Sequence, residues 1–225
     1  MKKSNVEFLA GARGWQYPEW VGEFYPEDLP EDWRFSYYCN EFQAVLIPFD
    51  YLQRYETQEW AEWLDDAPDN FAFYVELAQS ASWNKVGAFL EALGEQLKGI
   101  VIVIETLPEH EALGALIKHA KRRAPVSIKH SGDKVSDREI QSLLSQHEVN
   151  ECWNGHDDVP VWGYGGAAVI LRDSRAQHTP EILRQIIENG LAYAGNNERI
   201  ACFFNGNSPK IGDVRTARMI AELLI

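Results

Sequence analysis

The chain has 225 residues, of which 45% are hydrophobic and 24% are charged, and its formal net charge is −13 at pH 7. This composition is typical of a globular protein with a full core, and no apolar run reaches the roughly 18 residues of a membrane-spanning helix. The acidic balance argues against nucleic acid and anionic membranes as partners, because both repel a negative surface.

The cysteines and the first apolar run bear on location. Cys39, Cys152 and Cys202 are scattered, form no CxxC pair and are odd in number, which argues against a disulfide framework. The run from Val6 to Ala10 is too short for the core of a signal peptide. We therefore expect a cytoplasmic protein.

Apolar runs alternate with segments of helical periodicity along the whole chain. Strand-like runs occupy 6–10, 44–47, 71–75, 100–104, 125–130, 150–153, 167–171 and 199–204. Helical patterns occupy 31–42, 57–66, 84–97, 109–123, 136–146, 180–194 and 211–224. The glycine-rich segment 154–166 has no helical period, so we expect a loop in place of the helix after the sixth strand.

This alternation predicts a single α/β domain over residues 1–225. Eight strand-like runs separated mostly by helices indicate βαβ units and a parallel sheet. No linker or low-complexity tract divides the chain, and single α/β barrels commonly have about 200–250 residues. Periodicity alone leaves open whether the sheet closes into a barrel or stays open and doubly wound.

The stretch after the first strand is unusual. Residues 11–26, which we call the aromatic loop, contain three glycines, two prolines and five aromatic residues. Such a segment is neither helix nor strand, and it is too aromatic for a solvated linker. We expect Trp20, Phe24 and Tyr25 to pack against the end of the sheet. Trp15 and Tyr17 either do the same or stack on a ligand.

The spacing G-x-x-G-W-x-Y-x-x-W-x-G-x-F-Y-P-x-x-L over residues 11–29 resembles the opening signature of the YecE-like family, the domain of unknown function numbered seventy-two. The resemblance implies a TIM-barrel-like fold and no settled activity. It favours the closed parallel (β/α) barrel over the open sheet.

The resemblance weakens beyond the aromatic loop. Val45 to Leu52 lacks the glutamate and asparagine of the family's V-E-x-N-x-x-F-Y run, and Glu76 stands where the family tends to have lysine. Ser127 to His130 resembles an E-x-R-H element but keeps only the histidine. Arg172 resembles an arginine of the seventh strand, and Phe203 to Asn207 an F-N-N ending. The chain is either a branch with altered specificity or one that has lost an ancestral activity.

Candidate site residues follow from the barrel, because the carboxyl ends of its strands line the site. We predict catalytic roles for Glu76, Glu105 and His130. Crowded carboxylates have the raised pKa that a general acid needs, and a close carboxylate pair on adjacent strands is also the arrangement of glycoside hydrolases. The alternative is that the carboxylates are ordinary solvated ones. Six further residues are predicted to bind a ligand: Arg13, Trp15, Tyr17, Lys129, Arg172 and Asn205.

The leading functional hypothesis is a barrel that binds a small polar or anionic metabolite at its mouth, as a hydrolase, lyase or isomerase. One alternative is a degenerate, non-catalytic barrel that acts as a protein-interaction module. Another is a divalent-metal enzyme that uses Glu76, Glu105, His130 and Asp158. No metal-ligand motif supports it, and no G-x-S-x-G, P-loop or G-x-G-x-x-G motif occurs, so no cofactor is expected.

Overall fold

The computed structural model describes residues 6–55, 57–106, 110–130 and 136–225. The sheet contains eight strands, and all of their pairings are parallel. The strands are β1 Glu7–Arg13, β2 Ala44–Ile47, β3 Ala72–Ala78, β4 Leu97–Ile104, β5 Val126–His130, β6 Asn150–Glu151, β7 Gly166–Asp173 and β8 Asn197–Asn205.

The sheet closes into a barrel. Its order is β6-β5-β4-β3-β2-β1-β8-β7, which leaves β6 and β7 at the two ends. Trp153, just after β6, joins those ends: its backbone N–H donates to Val169 O at 2.9 Å, and its carbonyl accepts from Leu171 N–H at 2.8 Å. The closed (β/α) barrel is therefore confirmed, and the open, doubly wound alternative is excluded.

Helices connect most of the strands. They are α1 Arg34–Glu41, α2 Phe49–Arg54, α3 Thr57–Asp66, α4 Trp83–Ala92, α5 His110–Lys121, α6 Asp137–His147, α7 Pro180–Ala192 and α8 Ile211–Leu224. The short helix α2 was not predicted. The helix predicted to reach Leu97 ends at Ala92, because Gly94 takes a left-handed φ of 51° and a 3₁₀ turn then leads into β4.

Side chains alternate between two cores along each strand, as in any pleated sheet. One core fills the barrel interior, with Leu9, Leu46, Tyr74, Val101 and Phe203 among its buried side chains. The other lies between the strands and the helices. The alternation decides which strand-end residues face the mouth and which face the helix layer.

No helix follows β6, as predicted: residues 152–165 form an irregular segment. Trp162 occupies the space on the outside of the strands and is only 3% exposed. Its Nε1–H donates to Glu151 O at 2.9 Å, and its own carbonyl accepts from Asn197 Nδ2 at 3.3 Å. The ring packs edge-on against Trp153. Trp162 thus holds residues 152–165 against the outside of the barrel, in the position that a helix occupies after the other strands.

The aromatic loop is a structural cover, but the prediction that it contains no strand was wrong at its start, because residues 11–13 continue β1. Trp20 Nε1 donates to Pro209 O at 2.7 Å, and the Tyr25 hydroxyl donates to Trp15 O at 2.7 Å. The buried Tyr38 hydroxyl, from α1, donates to Ala44 O at 2.9 Å. These bonds connect the loop with the segment before α8 and connect α1 with β2. The expectation that Trp20, Phe24 and Tyr25 pack as structural residues agrees with their burial.

Candidate functional site

A pocket of about 1330 Å³ opens at the carboxyl ends of β5 to β8. Lys129, Cys152, Leu171, Asp173 and Asn205 form its inner wall. Asp157 to Val161, from the segment that replaces the missing helix, form part of its rim. Loops after strands seven and eight are a frequent location of ligand sites in barrels of this kind. Of the nine predicted site residues, this pocket brings together Lys129, His130 and Asn205.

Arg13 and Glu76 form an ion pair at the β1–β3 side of the mouth. Arg13 Nε donates to Glu76 Oε2 at 2.9 Å and Nη2 to Oε1 at 2.6 Å, while Asp50 Oδ1 lies 3.8 Å from Nη2. Burial lowers the pKa of Arg13, but the hydrogen bond and charge of Glu76 outweigh that effect and leave the pKa raised. Arg13 is thus bound to a protein carboxylate in the fork geometry that it would offer to an anionic ligand.

Glu105 has different surroundings from Glu76. Glu76 is 6% exposed, whereas Glu105 is an exposed residue just after β4. The Glu105 backbone N–H donates to Gln79 Oε1 at 2.9 Å. Because one carboxylate is tied to Arg13 and the other faces solvent, the two do not share the environment expected of an acid–base pair.

His130 is held by a residue that sequence reasoning missed. His130 Nε2 lies 2.7 Å from Glu151 Oε1, and Gln141 Nε2 of α6 donates to Glu151 Oε2 at 3.4 Å. Within the described ranges His130 Nδ1 is buried and has no partner. His130 and Glu151 both reach the pocket on the α6 side. No spacing rule links positions 130 and 151, since only the β5–β6 register brings them together.

Arg172 is fully buried on the helix-facing side of β7 and does not line the pocket. Its Nη1 donates to Asn154 O at 2.7 Å, and Gly155, with a φ of 78°, packs against the guanidinium where a β-carbon would clash. Burial lowers the pKa of Arg172. Nε and Nη2 have no partner among the residues that the structure describes. Arg172 therefore supports the rim of the pocket from behind.

Trp15 and Tyr17 take structural positions. Trp15 is 1% exposed and packs against Phe35, Tyr51 and Trp63. The Tyr17 hydroxyl donates to the carbonyl of Arg13, and burial raises the pKa of Tyr17. Neither ring is part of the pocket wall at β5 to β8. The sequence left open whether Trp15 packs in the core or stacks on a ligand, and its burial fits the packing role.

A second ion pair lies at the solvent-exposed edge of the pocket. Arg175 Nη2 lies 2.6 Å from Asp173 Oδ2, and Arg175 Nε lies 3.1 Å from Oδ1. The side-chain and backbone hydrogen bonds from Arg175 lower the pKa of Asp173 to about 2. Asp173 is therefore ionised at neutral pH and its charge is compensated locally.

The described part of the chain contains no group of three or more His, Cys, Asp or Glu side chains placed to hold a metal ion. Glu76 is paired with Arg13, and His130 with Glu151. The four residues of the metal hypothesis, which also include Glu105 and Asp158, are therefore not gathered into one donor set.

Replacing Arg172 with methionine is expected to change the free energy of unfolding by less than about 1 kcal/mol, because a buried charge exchanged for an apolar side chain of similar size often costs nothing. Loss of the bond to Asn154 O should instead speed amide hydrogen exchange in 154–158. Arg175→Met is the matched control and should leave that exchange unchanged. A loss above about 3 kcal/mol with unaltered exchange would contradict this role.

Fold and pocket together define an eight-stranded parallel (β/α) barrel of the TIM-barrel class with its cavity at the carboxyl face. The sequence model of the family described as "Protein of unknown function DUF72" matches residues 9–225. The chain belongs to this family, the YecE-like family, so the resemblance of the aromatic loop is confirmed. The comparison with curated proteins gives no match.

Solved structures show the same fold. A DUF72 family protein of Thermotoga maritima has a TM-score of 0.72 at 13% identity, covering 96% of this chain and 99% of its own. One of Enterococcus faecalis has a TM-score of 0.64 at 14% identity, covering 97% of both chains. Phosphoribosyl anthranilate isomerase of T. maritima has a TM-score of 0.54 at 12% identity, covering 96% of this chain and 98% of its own. At such identities the likeness concerns the fold alone.

In the ranges that the structure describes, no helix is both long and apolar enough to cross a bilayer.

Proposed function

We propose that this protein binds a small polar or anionic metabolite in the pocket at the carboxyl ends of β5 to β8. The observation that carries the proposal is the position of Lys129 in that pocket. Lys129 is partly buried at the end of β5, and within the described residues no carboxylate forms a salt bridge with it. A partly buried ammonium without a protein counter-ion is a natural partner for a negative or strongly polar ligand group.

The groups around Lys129 favour proton-transfer chemistry. The His130–Glu151 pair lines the pocket on the α6 side and Lys129 lines its interior wall, and we propose that these groups exchange protons with a bound molecule. Such groups serve a hydrolase, a lyase or an isomerase, and we propose an enzyme of one of these types. Arg13 and Glu76 are assigned a supporting role, because each already satisfies the other's charge.

A cytoplasmic location is part of the proposal. Cys39, Cys152 and Cys202 are all free, which is the usual state of cysteines in a reducing compartment. Burial raises the pKa of each thiol, so none is activated as a thiolate nucleophile.

The test is a thermal-shift screen of carboxylates, sugar phosphates and nucleotides against three proteins: wild type, Lys129→Met and Lys118→Met. At least one class should raise the melting temperature of the wild type in a concentration-dependent way. That shift should fall by half or more in Lys129→Met, because the ammonium is lost. Lys118 is exposed on α5, so Lys118→Met should respond like wild type. Equal shifts in all three proteins, or none with any class, would refute the proposal.

A further inference from the structure

We infer that the ligand of this pocket is a carboxylic acid bearing hydroxyl groups, of sugar-acid size, and not a phosphate ester. The inference rests on the proposed function and narrows it to a substrate class. It depends on which charged side chains around Lys129 already have a partner of opposite charge.

The inner wall offers one uncompensated positive charge. Alternation along β5 places Lys129 on the interior side, beside Cys152 and Leu171. Its ammonium is close enough to the Cys152 thiol to counteract, in part, the rise in pKa that burial causes there. Cys152 and Leu171 adjoin the ammonium in the pocket wall, so its charge is less screened there than it would be in bulk water.

The other cations near the mouth already have carboxylate partners. Arg175 is bound to Asp173 through both Nε and Nη2, and Arg13 is bound to Glu76 in the same two-pronged way. In the described pocket, Lys129 is therefore the cation that a negative ligand group can approach without displacing a protein carboxylate.

The outer part of the pocket repels extra negative charge. Asp137, Asp157 and Asp158 all line it, and Asp157 Oδ2 accepts a 2.5 Å hydrogen bond from Asn154 Nδ2. A phosphate ester carries about −1.5 to −2 at neutral pH, whereas a carboxylate carries one charge. The additional charge of the ester would lie near these carboxylates and be repelled by them. Among the described residues of the pocket, Lys129 is the cation without a carboxylate partner, and it can balance one charge.

The same rim suits hydroxyl groups. Ionised carboxylates accept hydrogen bonds from hydroxyls, and the amides of Asn205 and Asn207 both donate and accept. The cavity of about 1330 Å³ exceeds the roughly 300–1,000 Å³ of most small-molecule sites, so it has room for more than a two- or three-carbon acid. A six-carbon sugar acid satisfies the charge balance and fits within the cavity.

The experiment compares three sugars that differ at one carbon: D-glucuronate, D-glucose and D-glucose 6-phosphate. Isothermal titration calorimetry at low salt should give glucuronate at least a ten-fold lower Kd than either of the others. In Lys129→Met the advantage of glucuronate over glucose should disappear. In Asp158→Asn, an exposed and structurally tolerant change, the Kd for glucose 6-phosphate should fall several-fold.

The outcomes separate this inference from the proposed function. Glucose 6-phosphate binding as tightly as glucuronate, or more tightly, overturns the substrate class but upholds an anion site at Lys129. Glucuronate that gives no detectable binding also overturns the class, and the wider thermal-shift screen then decides the proposed function independently. An unchanged glucuronate advantage in Lys129→Met would overturn the inference, because the ligand carboxylate would then bind a group other than Lys129.

Discussion

Replacing Glu76 with alanine is expected to lower the free energy of unfolding by about 3 kcal/mol. The change removes the only close carboxylate that the described structure provides for the Nε of Arg13, and it leaves a guanidinium whose side chain is 25% exposed without its two short hydrogen bonds. Removing one member of a buried ion pair costs more than the pair itself contributes, because the remaining charge stays desolvated. Equilibrium unfolding in urea measures the loss.

Glu105→Ala is the matched control for this prediction. Both glutamates lie near the carboxyl end of a strand of the barrel, but Glu105 is exposed, so its replacement should stay within about 0.5 kcal/mol of wild type. A double variant, Arg13→Met with Glu76→Leu, should recover part of the loss because no unpaired charge remains. Equal stability of the Glu76→Ala and Glu105→Ala variants would mean that the Arg13–Glu76 pair contributes nothing.

Replacing Gly11 with alanine is expected to cost about 3 kcal/mol or more, or to prevent folding. Gly11 lies in β1 opposite Ala44 of β2, and a β-carbon there would overlap the Ala44 carbonyl carbon and oxygen. Backbone atoms of a central strand pair cannot move aside as a flexible side chain can. The same carbonyl accepts from the Tyr38 hydroxyl, so displacement of β2 would also strain a buried hydrogen bond.

The control for the glycine prediction is Gly212→Ala. Gly212 lies in α8 and nothing lies within 4 Å of the added carbon, so alanine should be neutral or stabilise the protein by up to about 1 kcal/mol. Circular dichroism of both variants during urea titration separates the cases. A fully stable Gly11→Ala protein would show that the first glycine of the aromatic loop is not required by packing.

Much of the fold could be predicted because buried parallel strands are apolar throughout. β4 is the clearest case, since Ile100 to Ile104 is an unbroken apolar run. Helix α8 was predicted over the same bounds that the structure shows. The six-residue helix α2 could not be predicted, because fewer than two turns give no periodic signal. Closure was decided by the family resemblance and by Trp153, not by periodicity.

The site was harder to predict, because a strand end has two faces. His130 is the last residue of β5 and Arg172 the second-last of β7, yet each follows an interior position by one residue and so points toward the helix layer. Side chains alternate along a strand, so with Leu171 in the interior its neighbour Arg172 must face the helices. This rule, applied to the sequence, would have excluded Arg172 from the pocket. No sequence rule would have paired Arg13 with Glu76, because their 63-residue separation is bridged only by the folded sheet.

The segment between Trp153 and Trp162 has a consequence for how this scaffold diversifies. Both tryptophans are hydrogen-bonded to strands of the barrel. The residues between them form neither a helix nor a paired strand. Lengthening a loop between fixed ends costs only about 0.6 kcal/mol for each doubling of its length. Insertions here would reshape the cavity entrance without disturbing the strands, so this is where evolution, or a combinatorial library, can exchange one ligand preference for another at little expense to folding.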